Sequence, residues 1–294
     1  QVLTDNKDAI FHYLQYLKTK RNEEGLIGYG LCDWCETGKF SEGDADTPVE
    51  VTDTLVSIDM LRKSEFVFEL VNEPERVNDC KSFREQLTTD FKKKYLGNDL
   101  VISCRTQTAQ AKAIEVGLFT GTEKQQAVQQ LVELIVRDGN RFQVGVIGAR
   151  VLFRVLAENG YAELAYKLIT QDGFPSYKYW LDHGATSLWE AFHEVQDGSL
   201  LRKDGGRMLS LNHHFWGDIS AWFYRYILGI RVNPKDTDAN FIEVHPCEIP
   251  GIAFAEGKYE NENGSITVKW YRDGQGKPVI GVEATGSFRY EIKI

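Results

Sequence analysis

Apolar residues recur at helical spacing through the first two-thirds of the chain. In residues 5–20, for example, Ile10, Leu14 and Leu17 fall on one face of a helix. One predicted helix begins at the T-x-x-E capping pattern of residues 47–50, and another, over residues 122–139, begins at a T-x-x-Q pattern. The other predicted helices are residues 5–20, 75–96, 108–118, 144–159, 161–173, 187–195 and 217–228. Short loops join many of these segments, which is typical of stacked helical hairpins.

The pattern changes after Asn233-Pro234. Apolar and polar residues then alternate with a period of two, as in strands that bury one face, and turn signals such as Asn263-Gly264 separate the runs. The predicted strands are residues 241–245, 252–259, 265–271, 278–283 and 288–294. We therefore predict two domains, a helical domain over 1–234 and a small antiparallel β sandwich over 235–294.

Composition narrows the class of protein. The chain has 294 residues, of which 42% are hydrophobic, enough to bury a sizeable core. The formal net charge is −9, whereas nucleic-acid-binding proteins typically carry an excess of basic residues. The longest apolar runs, 144–147 and 224–230, are far shorter than a membrane-spanning helix. We expect no nucleic-acid or membrane partner, and a ligand that is neutral or a small anion.

The cysteines predict neither a disulfide framework nor a metal centre. There are five, an odd number, and they are widely spread. Cys32 and Cys35 form a C-x-x-C, which occurs in redox pairs and in half of a zinc site. The sequence has no second C-x-x-C or spaced histidine pair to complete a tetrahedral site, and no βαβ pattern surrounds the motif. We interpret the pair as incidental and expect no metal.

Aromatic, acidic and histidine residues are densest between Phe174 and Trp216. Rings beside a carboxylate suit a sugar, because a pyranose has apolar faces that stack on rings and a glycosidic bond that carboxylates can open. Glu190 is the candidate carboxylate of this stretch. The pattern Ser187-x-x-Glu190 also matches a capping box, in which Glu190 would only satisfy backbone N–H groups at a helix start.

Several motifs, in order and at their separations, resemble the bacterial α-L-rhamnosidases of glycoside hydrolase family 78. They are Asp33-Trp34, 47–54, 107–109, 145–156, Pro175-Ser176, G-A-T-S-L-W-E at 184–190, S-L-N-H at 210–213, Y-I-L-G-I at 226–230 and V-H-P at 244–246. The resemblance covers essentially the whole chain. It implies part of an (α/α)6 barrel, the six-hairpin glycosidase fold, followed by the β domain, and inverting hydrolysis of terminal α-L-rhamnose.

The resemblance also implies roles for individual residues. Glu190 takes the position of the general base. The substrate-binding candidates are Asp33, which would bond sugar hydroxyls, Trp34 and Trp189, whose rings would pack on the sugar, Tyr177, which would line the pocket where the family commonly has Trp, and His213, which would contact a hydroxyl. One departure from the family is Cys32, which stands where the family has the glycine of Gly-Asp-Trp.

The general acid of the family lies upstream of the Asp-Trp motif, and residues 1–32 contain no matching acidic segment. We therefore expect the acid on an N-terminal segment that is missing from this sequence and acts as a partner of it. Proton transfer by carboxylates needs no cofactor. The resemblance favours a bacterial periplasmic or secreted location over the cytoplasm. Two alternatives are another (α/α)6 enzyme acting on a different sugar, such as a uronic acid, and a non-catalytic carbohydrate-binding fragment.

Overall fold

The computed structural model describes residues 1–39, 45–195, 203–204, 207–232 and 240–293. In this part of the chain the helices are α1 (Val2–Lys18), α2 (Val49–Leu70), α3 (Pro74–Tyr95), α4 (Gln107–Glu115), α5 (Gly121–Arg137), α6 (Val146–Glu158), α7 (Ala162–Thr170), α8 (Tyr177–Asp182) and α9 (Asp218–Trp222), which a π-helical turn (Phe223–Leu228) continues. The strands are β1 (Lys203–Asp204), β2 (Arg207–Met208), β3 (Ile230–Val232), β4 (Phe241–Val244), β5 (Phe254–Asn261), β6 (Gly264–Arg272), β7 (Pro278–Gly286) and β8 (Arg289–Ile292).

The helices form an inner row and an outer row. Helices α2, α4, α6 and α9 contact one another in succession, whereas α3, α5 and α7 each pack on the inner helix that precedes them. Helix α4 is buried along nearly its whole length, as expected of an element enclosed by its neighbours. Alternating inner and outer helices are stacked helical hairpins, as predicted for the first two-thirds of the chain.

Apolar stripes predicted most helices, but the predicted capping boxes are wrong. Helix α2 begins at Val49 with no side-chain cap, and Thr47 Oγ1 instead donates to Thr106 Oγ1 at 2.8 Å. Helix α5 begins at Gly121, also with no side-chain cap. Two N-cap residues do cap their own helices through the side chain, Thr106 on α4 and Ser176 on α8, and neither was predicted. Burial of the stripe therefore matters more to these helices than the local capping pattern.

The C-terminal strands form two three-stranded sheets, ordered β3-β4-β8 and β5-β6-β7. Their shared core consists of Leu228, Ile230, Ile242, Val244, Ile266, Val268, Trp270 and Phe288. The indole N–H of Trp270 donates to the carbonyl of Ile227 at 2.9 Å, so this core continues directly into the π-helical turn of the inner row. The β domain therefore packs directly on the π-helical turn that continues α9, the last helix of the inner row.

One strand pair departs from the predicted antiparallel arrangement. Strands β4 and β8 pair in parallel, because the chain crosses from β7 in one sheet to β8 in the other instead of folding back as a hairpin. Gly286 makes the crossing possible: its φ is 64°, and a Cβ there would lie 2.0 Å from the Asn263 carbonyl oxygen. The predicted domain boundary at 234/235 lies outside the described residues and stays a prediction.

Across the described residues, no helix combines the length and apolar character needed to cross a membrane.

Asp53 on α2 is a half-buried carboxylate that opposes folding at neutral pH. Its Oδ2 is buried without a hydrogen-bond partner, and a Cβ on Gly30 would lie 2.6 Å from its Oδ1. Burial raises the pKa of Asp53 to about 6. The backbone N–H of Tyr29 favours the ionised carboxylate and so opposes part of this rise. A raised pKa means that the folded state holds its proton more tightly than the unfolded state, so stability falls as the pH rises from about 4 to about 6.

We therefore expect Asp53→Asn to raise the free energy of unfolding at pH 7 by about 1–2 kcal/mol, allowing for the partial exposure of the side chain, and to change it little at pH 4. Urea unfolding of both proteins at the two pH values measures this. Asp99→Asn is the control, and it should lower the free energy of unfolding at pH 7, because the hydrogen bond from Arg105 lowers the pKa of Asp99. An equal difference for Asp53→Asn at both pH values would contradict the assignment.

Candidate active site

Glu190 lies on an irregular segment, not on a helix. The predicted helix over 187–195 is wrong, because these residues form hydrogen bonds to the segment 210–213 instead of to one another. Glu190 N donates to Ser210 O at 2.8 Å, and His213 N donates to Leu188 O at 2.8 Å. Since no helix follows Ser187, and its hydroxyl donates to the carbonyl of Leu211 at 2.7 Å, the capping-box interpretation of Glu190 is also wrong.

The side chain of Glu190 is held from several directions. It is 5% exposed, and its Oε2 accepts the N–H of Ser210 at 2.8 Å. Its carbonyl oxygen accepts the indole N–H of Trp216 at 3.0 Å. Backbone and side chain are thus both fixed, which is the preorganisation that a group involved in proton transfer requires.

His213 stands on the paired segment beside Glu190. Its ring is half-buried, lies parallel to the ring of His214 at 5.1 Å, and contacts Phe215 edge-on at 3.8 Å. Nδ1 faces the N–H of Phe215 at 3.3 Å and therefore acts as the acceptor. In the neutral ring the proton is then on Nε2, which leaves His213 a hydrogen-bond donor. The structure thus brings Trp189, Glu190 and His213 together.

The predicted stacking of Trp189 on a sugar does not match its position. The ring is 2% exposed and packs between Trp180, at 5.7 Å, and His193, at 5.6 Å. Trp180 in turn stacks on Phe192 with ring centres 3.9 Å apart. Trp189 therefore belongs to an apolar wall next to Glu190 and has no exposed face for a ligand.

Tyr177 is also part of this wall. Its ring packs against Phe192 at 5.2 Å, and its hydroxyl donates to the carbonyl of Trp216 at 3.2 Å. Burial, followed by the negative charge of Asp218, raises the pKa of Tyr177, so the hydroxyl stays protonated. In this position the hydroxyl bonds to Trp216, while the half-buried ring lines a cavity next to Trp216.

Asp33 is a helix cap rather than a surface contact. It is fully buried, Oδ2 accepts from Thr108 Oγ1 and from Gly145 N at 2.6 Å, and Oδ1 accepts from the N–H groups of Ile147 and Gly148 at 2.8 and 3.0 Å. These N–H groups open α6. Burial raises the pKa of Asp33, and the four donors oppose that shift. In the structure four protein donors occupy this carboxylate, which the prediction gave to sugar hydroxyls.

The cap places Trp34 at the amino end of α6. Trp34 is half-buried, and its carbonyl accepts the N–H of Val146 at 2.9 Å. Gly145 is required here, because a Cβ would lie 2.3 Å from the Asp33 carbonyl oxygen. The loop continues to Gly38, whose N–H donates to Phe192 O at 3.0 Å. This bond joins the Asp-Trp loop to the segment that carries Glu190.

Two further residues of this loop, Cys32 and Glu36, shape its backbone and its attachment to the rest of the fold. Cys32, which replaces the glycine of the resembled motif, has φ 59°, a conformation that favours glycine. Glu36 is 3% exposed and accepts from Asp46 N at 2.5 Å, and the Thr47 hydroxyl oxygen lies 3.3 Å from its Oε1. Burial raises the pKa of Glu36. Its bonds tie the loop to the start of α2, which is a structural role.

No group of three or more His, Cys, Asp or Glu side chains that could hold a metal ion occurs within the described ranges. Cys32 and Cys35 are both buried and form no disulfide. The described side chains place a carboxylate and an imidazole on paired loops next to aromatic rings.

Comparison with known proteins gives consistent matches. Residues 1–227 match the family model described as the bacterial alpha-L-rhamnosidase 6 hairpin glycosidase domain. The chain is 27% identical over 288 residues to an alpha-L-rhamnosidase of Alteromonas sp. (strain LOR), covering 94% of this chain and 30% of that protein. It is 26% identical over 287 residues to an alpha-L-rhamnosidase of Streptomyces avermitilis, covering 94% of this chain and 26% of that protein.

Solved structures show the same fold. The crystal structure of the Streptomyces avermitilis alpha-L-rhamnosidase complexed with L-rhamnose matches with a TM-score of 0.87 and 22% identity, over 99% of this chain and 27% of that one. The alpha-L-rhamnosidase from Dictyoglumus thermophilum matches with a TM-score of 0.80 and 24% identity, over 93% of this chain and 30% of that one. The chain thus spans 30% or less of the length of each of these relatives.

Proposed function

The chain belongs to the bacterial α-L-rhamnosidase six-hairpin glycosidase family, and from this premise we propose that it supplies the general base, Glu190, for inverting hydrolysis of terminal α-L-rhamnosides. The observation that carries the proposal is the fixed position of Glu190, between the N–H of Ser210 and the indole of Trp216. A merely structural glutamate at a helix start is excluded, because no helix begins at this segment.

In the proposed reaction, Glu190 accepts a proton from a water molecule as that water attacks the anomeric carbon. The C1–O bond to the leaving group breaks on the opposite face of the sugar, and a carboxylic acid about 6.5–9.5 Å from Glu190 protonates the departing oxygen. The buried rings of Trp180, Trp189 and Phe192 pack together as an apolar wall on the segment that carries Glu190.

We propose that the proton donor lies outside the residues that the structure describes. Two acidic side chains of the adjoining loop are engaged elsewhere, Asp33 in capping α6 and Glu36 in tying the loop to residues 46–47. The relatives are more than three times as long as this chain, which gives room for such a donor. The substrate contacts that we retain are the half-buried ring of Trp34 and the Nε2–H of His213, with Tyr177 and Trp189 in supporting positions.

A panel of aryl glycosides tests this function on the complete polypeptide that carries the sequence. We expect hydrolysis of the aryl α-L-rhamnoside with kcat/KM on the order of 10⁴ M⁻¹s⁻¹ or more, and at least about 100-fold lower values for aryl α-L-fucoside and aryl β-D-glucuronide. Preference for the uronide would favour the different-sugar alternative. Binding of rhamnose without turnover of any glycoside would favour a carbohydrate-binding module and would contradict the proposal.

A further inference from the structure

Two hydrogen bonds connect Tyr177 to Glu190 through Trp216. The hydroxyl of Tyr177 donates to the backbone carbonyl of Trp216 at 3.2 Å. The indole N–H of Trp216 donates to the backbone carbonyl of Glu190 at 3.0 Å. Trp216 thus accepts one bond through its backbone and donates the other through its side chain. We refer to Tyr177 and Trp216 together as the tryptophan brace.

The tryptophan brace ends on the backbone of the residue that carries the proposed base. Glu190 N donates to Ser210 O at 2.8 Å, and Ser210 N donates back to Glu190 Oε2 at 2.8 Å. The backbone and the carboxylate of Glu190 therefore bind to the same residue. Because these bonds form one compact set, a shift of the Glu190 backbone also displaces its carboxylate.

Packing alone does not fix the two residues of the tryptophan brace. Their rings contact Phe192 edge-on, at 5.2 Å for Tyr177 and 4.8 Å for Trp216. Both residues also line a cavity of about 130 Å³ between α6 and α9. Atoms that border a cavity lose dispersion contacts on that side. Hydrogen bonds depend on angle as well as distance, so the two bonds of the brace set the orientation of Trp216.

The position of a general base decides whether it can act. The base must come within about 2.6–3.2 Å of the group whose proton it accepts, and displacement by about 1 Å can lower a rate by about 100-fold. Ser210, the other support of Glu190, itself lies on an irregular segment. Tyr177 instead begins α8, and the buried Ser176 caps this helix. The brace therefore connects the base to the start of a capped helix.

We propose that Trp216 is a positioning residue for the base Glu190 and that the hydroxyl of Tyr177 holds Trp216 in place. Neither Trp216 nor Tyr177 gains or loses a proton in the reaction, and both act through the backbone of Glu190. This inference rests on the proposed function, because the step that it concerns is the transfer of a proton from water to Glu190.

Trp216→Phe keeps an aromatic ring in place and removes the indole N–H. We expect kcat for an aryl α-L-rhamnoside to fall by about 10- to 100-fold, with KM changed by less than about twofold. Trp222→Phe is the matched control, since the buried Trp222 lines the same cavity and its indole N–H donates to Phe153 O at 3.0 Å. This control should keep kcat within about twofold. Equal losses of kcat in the two variants would overturn the proposal.

Tyr177→Phe tests the other end of the tryptophan brace and serves if Trp216→Phe does not fold. Loss of one neutral hydrogen bond should lower kcat by about 3- to 10-fold. The double variant should have a kcat within about twofold of that of Trp216→Phe alone, because both substitutions act on one chain of bonds. Losses that multiply in the double variant would contradict the role of Tyr177.

Azide separates the positioning of the base from damage to the sugar site. In Glu190→Gly, azide can attack the anomeric carbon without a base, so the position of residue 190 no longer limits the rate. Adding Trp216→Phe to Glu190→Gly should therefore change the azide-dependent rate by less than about threefold. A loss as large as that caused by Trp216→Phe alone would place Trp216 in the support of the sugar site and would overturn the proposal.

Hydrogen exchange tests the tryptophan brace without a substrate. The amide of Glu190 donates to Ser210 O, so its exchange rate reports local opening of this segment. We expect exchange at this amide to be about tenfold or more faster in Trp216→Phe than in Trp222→Phe. If the complete polypeptide cleaves no rhamnoside, the proposed function fails, and the exchange rates still decide whether Trp216 holds residue 190 in place. Equal exchange rates in the two variants would overturn the brace.

Discussion

Glu190→Gln should lower kcat for hydrolysis of an α-L-rhamnoside by about 10³-fold or more, with little change in the free energy of unfolding. A glutamine amide cannot accept the proton of the attacking water, and removal of a general base lowers rates by about 10²- to 10⁴-fold. The amide oxygen can still accept the N–H of Ser210, so the loop keeps its support. Steady-state kinetics and urea unfolding of the same preparation measure the two effects.

The choice of leaving group separates the base from the acid. A dinitrophenyl rhamnoside departs without needing a proton, so loss of the general acid affects it little, whereas loss of the base slows it as much as an alkyl rhamnoside. Glu190→Gln should therefore be slow on both. Glu194→Gln, an exposed carboxyl on the same segment, is the control and should keep kcat within about twofold. More than a tenth of the original kcat in Glu190→Gln would rule out its role as the base.

Asp33→Ala should lower the free energy of unfolding by about 3–5 kcal/mol. The substitution leaves four buried donors without an acceptor, the Thr108 hydroxyl and three N–H groups at the start of α6. Each unsatisfied buried donor costs about 1–3 kcal/mol, and partial relaxation of the helix end reduces the sum. Asp33→Asn keeps one acceptor oxygen and should lose less. Urea unfolding followed by circular dichroism measures these differences.

This prediction separates two roles for the same residue. If Asp33 contacted the sugar, its alanine variant would keep its stability and lose kcat/KM. Asp5→Ala removes an exposed acid from the first turn of α1, where no side chain caps the helix, and should change the stability by less than about 0.5 kcal/mol. If Asp33→Ala were as stable as Asp5→Ala, the capping assignment would be contradicted.

The parts of the fold that depend on local pattern were predictable from the sequence. The apolar stripe of α5 and the alternation in β6 each bury one face, so periodicity alone identified them. Strand pairing was predictable for the hairpins β5–β6 and β6–β7, whose partners are adjacent in sequence. The parallel pair β4–β8 was not, because it depends on a crossing between sheets.

The candidate site was predictable in residue identity but not in role. Resemblance of motifs selected Asp33, Trp189 and Glu190. Asp33 is engaged by N–H groups more than 100 residues away, so its sequence neighbours could not reveal the cap. Ser187-x-x-Glu190 suggested a helix, but pairing with residues 210–213 gives an irregular segment instead.

The central claim is that Glu190 is the base of an inverting reaction, and azide tests it most directly. In Glu190→Gly the cavity left by the side chain can admit azide, an anionic nucleophile that needs no base. Azide attacks C1 as the C1–O bond breaks, and the leaving oxygen takes the electron pair. We predict that azide restores turnover of an aryl α-L-rhamnoside and that NMR identifies the product as β-L-rhamnosyl azide. An α-configured azide, or a variant that cleaves the substrate to free rhamnose at the original rate without azide, would contradict the account.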